Sequence, residues 1–205
     1  MQNLADIKTG IAQMAALALK MWKTTFRTFM EHDADLVSGI LEDENRVNQA
    51  EKELTTRIIA WAKTSQDETE KANALIYVNI IEDIELIGDY CKDILERVQI
   101  KIEERLMFSD EAVKEYENLY RKTESALEEV VFALEKDNPA AVKTVFKNEE
   151  HIDTIVDEYR RKHTQRLVAG VCTPIACNMF LNMLDFTAAV YYHTKKIARN
   201  LLKIK

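Results

Sequence analysis

Turn-forming residues are scarce in this chain. Four glycines and two prolines are spread over 205 residues, too few to punctuate a sandwich or barrel of short strands. No apolar run reaches the ~20 residues of a membrane span. The N-terminus, Met1-Gln2-Asn3-Leu4-Ala5-Asp6, lacks the basic-then-apolar pattern of a secretory signal. Cysteine is confined to Cys91, Cys172 and Cys177, an odd number without Cys-x-x-Cys spacing. Reduced, buried thiols in a cytoplasmic protein are therefore expected. Bases are outnumbered by acids, giving a net charge of −7, which argues against nucleic acid as a partner. Strand signals and Gly-rich phosphate loops are absent as well.

What remains is helix. Apolar residues recur at helical spacing from about Asn3 to Glu31, through Ile7, Ile11, Met14, Met21, Trp22, Phe26 and Phe29. This Met- and aromatic-rich face reads as core, with pairing to a second copy of the chain as the alternative. The acidic break His32-Asp33-Ala34-Asp35 precedes a second helix running to about Lys63. Ser65-x-x-Glu68 reads as a capping box for a third, which extends to about Arg105 and is the longest at about 60 Å. Ser109 caps a fourth helix. Asn138-Pro139 and Thr173-Pro174 each place a cap before an N1 proline, predicting a fifth helix ending near Gly170 and a sixth to the C-terminus. The expected architecture is all-α: two tandem three-helix bundles, residues 1–106 and 107–205, with long antiparallel helices.

Polar residues interrupt the core stripes at particular places. Between Leu41 and Leu54 the second helix carries Glu44, Asn48 and Glu51, flanking Val47. The third helix carries Glu85 and Asp89 on one face, with Asp93 one turn further, among Ile80, Ile81, Ile84, Ile87 and Cys91. Carboxylates against an apolar stripe are costly to ionise unless a cation or hydrogen-bond donor faces them. Laid over each other, the two halves put Glu44, Val47 and Asn48 on Glu149, Ile152 and Asp153. Tyr90 falls on His193, but Glu85 and Asp89 fall on Ala188 and Tyr192, so the second half lacks that acid pair.

These segments carry a resemblance. Asp43-Glu44-Asn45-Arg46-Val47-Asn48 and Asp83-Ile84-Glu85-Leu86-Ile87-Gly88-Asp89 are similar to the repeated Glu/Asp-x-x-x-Asp motifs of the PhoU family, although in the second of these an Arg more usually follows the Glu. His163-Thr164-Gln165-Arg166-Leu167 and Cys172-Thr173-Pro174 resemble the PhoU-like tail of bacterial sodium/phosphate cotransporters. The resemblance spans about Met14 to Leu202. It implies a cytoplasmic, non-enzymatic regulator of phosphate transport, peripheral to the membrane's inner face, whose partners are a phosphate transporter or a sensor kinase. It further implies a divalent or multinuclear metal, with iron, zinc, magnesium and nickel not distinguished, and no organic cofactor. Carried over residue by residue, the metal ligands are Glu44, Asn48, Glu85, Asp89 and Asp93, with Glu51 as an extra. A weaker second set would comprise Glu149 and Asp153. The alternative is a structural scaffold or oligomerisation domain, for example a transporter tail, with a vestigial metal site.

An enzyme is disfavoured. A ferritin-like di-iron centre needs Glu-x-x-His on two helices, and the residues three before the four histidines are Phe29, Asn148, Arg160 and Val190. His193 reads as structural. Arg160, Arg161, Lys162 and Arg166 form a basic cluster that reads as a solvated face, with phosphate or anionic lipid as the sharper reading.

Overall fold

The computed structural model describes residues 4–147 and 152–204. Its helices are α1 (Leu4–Glu31), α2 (Leu36–Thr64), α3 (Glu68–Glu103), α4 (Asp110–Glu135), α5 (Lys143–Lys147), α6 (Ile152–Val168) and α7 (Pro174–Leu201). No strand occurs among the described residues.

Helices α1, α3, α4 and α7 form the centre: α1 packs on α3 and α4, and α7 on α3 and α4. Helix α2 lies outside against α1 and α3; α6 lies outside against α4 and α7. One apolar core runs through both halves, from Ile7 in α1 to Leu201 in α7. The apolar face of α1, a candidate for pairing with a second copy, is enclosed within the chain. Trp22 stacks on Tyr120 of α4 at 3.8 Å between ring centroids, and the Tyr120 hydroxyl donates to the Trp22 carbonyl. Trp22, Tyr116, Tyr120 and Phe180 are fully buried, each contributing about 1.5–3 kcal/mol through burial. Helices α3 and α7 run antiparallel, since Asp83 meets Lys196 while Arg97 lies over Phe186.

Two boundaries differ from expectation. Helix α3 is capped by Asp67, whose carboxylate accepts from the Thr69 amide at 2.7 Å, while Ser65 turns instead to Glu70, at 2.5 Å. A carboxylate adjacent to the first turn is the better acceptor for those amides. The predicted fifth helix starts as a tighter turn. Asn138 makes no side-chain cap, and Pro139–Val142 forms a 3₁₀ turn leading into α5. Residues 148–151 lie outside the described set, and α6 resumes at Ile152. The caps at Ser109 and Thr173 are as expected, accepting from the Ala112 and Ala176 amides.

Candidate functional site

Gly88 sets how closely α2 approaches α3. A β-carbon at this position would lie 3.2 Å from Val47 Cγ1, so a side chain there would push Val47 and its helix away. The approach places Glu44 and Asn48 of α2 beside Glu85 and Asp89 of α3.

Glu44 is 5% exposed. Its Oε1 accepts from Asn48 Nδ2 at 2.9 Å and from Lys92 Nζ at 3.3 Å. Asn48 Oδ1 is buried and has no hydrogen-bond partner. Glu85 and Asp89 hydrogen-bond to each other. Burial pushes the Glu85 carboxyl above its ordinary range, and the charges of Asp89, Glu51 and Glu44 push it the same way. Asp89 is raised by burial and by Glu44, with Lys92 pulling against them. Asp93 is also raised, by burial first and then by Glu96, but it faces Arg97 at the edge of the cluster. The fold thus gathers Glu44, Asn48, Glu51, Glu85 and Asp89 into one electrostatic unit, with Asp93 at its margin and Lys92 as its cation.

The donor set is all oxygen, on two packed helices, and includes one unpartnered buried carbonyl. That composition suits a hard divalent ion. The carboxylates are spread: no three of them bring oxygens within 4.8 Å of one another, so binding would draw the side chains together.

In the second half, Asp153 is exposed in the first turn of α6, and Glu149 lies outside the described residues. Ala188 is half-buried. Tyr192 is 56% exposed, lying edge-on to His193 and beneath Lys196. The positions aligned with the acid pair of α3 hold an alanine and a tyrosine on α7.

Several residues escaped sequence reasoning. Asp83 is 0% exposed, and its Oδ1 meets His193 Nδ1 at 2.8 Å and Lys196 Nζ at 2.7 Å. This pins α3 to α7 and gives His193 the structural role expected of it. Asp43, also buried, pairs with Lys20 of α1 at 2.6 Å. Partners that sit on other helices leave no periodic signal. The basic cluster of α6 is largely occupied internally. Arg160 pairs with Asp185 at 2.6 Å, Arg166 grips Glu115 at 2.7 and 2.8 Å, and Lys162 pairs with Glu158 at 2.5 Å. Finally, His163, Cys172 and Cys177 converge, each offering a ligand atom within 4.8 Å of the others. His163 stacks on Phe180 at 4.0 Å, and burial depresses its pKa to about 4. Burial, then Cys172, pushes the Cys177 thiol up. Spacing alone, read one cysteine at a time, gave no hint of this group.

A family model described as the PhoU domain matches residues 11–98, a stretch that holds both Glu44–Asn48 and Glu85–Asp89. The Thermotoga maritima protein named phosphate-specific transport system accessory protein PhoU homolog 1 is 25% identical over 88 residues, 43% of this chain. That segment spans 37% of the relative's length. The crystal structure of PhoU from Pseudomonas aeruginosa superposes with a TM-score of 0.90 at 15% identity, covering 98% of this chain and 96% of that one. The phosphate transport system regulatory protein PhoU from Streptococcus pneumoniae superposes at 0.85 and 12% identity, covering 98% and 94%. At these identities the structural likeness is one of fold. Taken with the domain match over residues 11–98, it places a segment similar to the PhoU domain in a chain that has the PhoU fold.

Proposed function

We propose that this chain is a non-enzymatic regulator of phosphate transport, acting at the cytoplasmic face of the membrane on a phosphate transporter or its sensor kinase. The match of residues 11–98 to the PhoU domain carries the reading. The relatives named as transport accessory and regulatory proteins support it. Among the described residues no helix is long and apolar enough to cross a membrane, so contact with a transporter would be made through helix faces. In this reading residues 1–106 and 107–205 are two repeats of one three-helix unit.

The same proposal gives the first repeat a metal. Glu44, Asn48, Glu85 and Asp89 would hold it, with Glu51 and Asp93 at the margin. A divalent ion would supply the positive charge that three mutually repelling carboxylates lack, and the Asn48 carbonyl would gain its missing partner. The test is retention of the membrane-bound transporter on the purified chain, compared between phosphate-replete and phosphate-starved cells, alongside phosphate uptake in a deletion strain. Phosphate-dependent retention and altered uptake are expected. Unchanged uptake with neither transporter nor kinase retained would overturn the proposal.

One observation favours a second reading, a scaffold with a vestigial site. Lys92 already reaches Glu44 and can neutralise part of the cluster in place of an ion. Elemental analysis and melting with and without chelator separate the two. A metal-free chain whose melting ignores chelator fits the scaffold.

A further inference from the structure

The second repeat has lost its oxygen ligands at Ala188 and Tyr192, yet it holds a donor set of different chemistry at the α6–α7 connection. His163 lies near the C-terminal end of α6. Cys172 sits in the connection, and Cys177 lies in the first turns of α7. Their ligand atoms are within 4.8 Å of one another. A tetrahedral zinc with bonds of about 2.0–2.3 Å needs ligand atoms somewhat closer than this, a contraction the connection between the helices can absorb.

Three further features fit a metal better than chance proximity. His163 is 1% exposed, and its Nε2 is buried with no hydrogen-bond partner; a buried polar atom of this kind ordinarily has one. Its ring is fixed by stacking on Phe180, and Nδ1 lies 3.5 Å from Arg166. The Arg166 charge is in turn engaged by the two oxygens of Glu115 at 2.7 and 2.8 Å, so no unpaired cation opposes a second one nearby. Both cysteines are free thiols, Cys177 buried and Cys172 half-exposed, which leaves a path for an ion from solvent.

We infer that His163, Cys172 and Cys177 form a site for a zinc-class ion, separate from the carboxylate cluster and selective for softer metals. Two thiols bind as thiolates and release their two protons to solvent. The imidazole binds neutral, so two negative charges balance the ion's two positive ones. A fourth position stays open to water. Magnesium and manganese prefer oxygen donors and are excluded by the sulfurs. Bound, the ion staples the end of α6 to the start of α7.

The test is titration of the reduced, chelator-stripped full chain with cobalt(II), then displacement by zinc(II). One equivalent of cobalt should produce a thiolate-to-cobalt charge-transfer band, lost on adding zinc and unaffected by magnesium. Cys172→Ser, at the half-exposed position, should abolish the band while the far-ultraviolet circular dichroism is unchanged. His163→Gln should weaken zinc binding by about 100-fold or more, beyond what loss of a ligand's supporting contact costs. Glu85→Gln should leave the band intact, which separates this site from the carboxylate cluster. Cobalt bound without a thiolate band, a band that survives in Cys172→Ser, or a Cys172–Cys177 disulfide persisting in reductant would overturn the assignment.

Discussion

At the scale of the residue, Glu85 and Asp89 are held where ionisation opposes folding. Their ordinary values are 4.5 and 3.8, and both are raised in the folded chain. Above those ordinary values and below the raised ones, the folded state binds more protons than the unfolded state. Stability contributed by this pair therefore falls as pH rises through that window. In chelator, Glu85→Gln should be more stable than the parent at neutral pH, by up to about 1 kcal/mol because the site is partly solvated. The gain should fade in mild acid, as read from urea unfolding at several pH values. A gain that grows on acidification would contradict the assignment. Asp83 is buried between Lys196 and His193. Lys196→Met leaves the buried carboxylate with His193 alone and should cost about 2 kcal/mol. The double variant Asp83→Leu/Lys196→Met should recover most of that loss in a double-mutant cycle. Sequence reasoning found Glu44, Asn48, Glu85 and Asp89 because each breaks an apolar stripe of its own helix. It missed Asp83 and Asp43, whose meaning lies in lysines on other helices, and it missed Lys92 as the cation of the acidic cluster.

At the scale of the element, helix ends reveal which positions tolerate the left-handed backbone. Gly170 has φ +72°, where glycine suffers no steric penalty, and it closes α6 with Val171 N–H bonded to the Arg166 carbonyl at 2.9 Å. Arg105 closes α3 in the same way at φ 50° without that freedom. Arg105→Gly should therefore stabilise the chain by about 0.5 kcal/mol, the released strain less the entropy cost of glycine, as a shift in the urea midpoint. Gly88 works in the opposite sense. Gly88→Leu has no room beside Val47 and should cost about 2 kcal/mol or more, and any metal bound by the carboxylates should be lost with the helix approach. Helix lengths were legible because their stripes are long and periodic. The 3₁₀ turn after Asn138 was not: the cap-then-proline signal starts a helix, but it says nothing of how tightly the first turn winds.

At the scale of the molecule, the all-α class was legible from sparse Gly and Pro and from long periodic stripes. How the halves meet was not, since α1 and α3 spend their apolar faces on α4 and α7 and no local pattern names a partner helix. Tyr90 and His193, which fall on each other when the two halves of the sequence are aligned, lie 5.8 Å apart at the α3–α7 contact. Corresponding residues that face each other mark an axis of approximate two-fold symmetry. On the proposed two-repeat reading the chain is arranged as a dimer is arranged, with residues 104–109 as the tether between its halves. Severed there, each fragment would expose the surfaces of α1 and α3, or of α4 and α7, and should be largely unfolded alone. Mixed, the two should regain the helical signal and cooperative melting of the intact chain. Joining the subunits also removes the requirement that they stay alike. One half carries the carboxylate cluster while the other carries the His163, Cys172 and Cys177 side chains, a divergence closed to any assembly of identical chains.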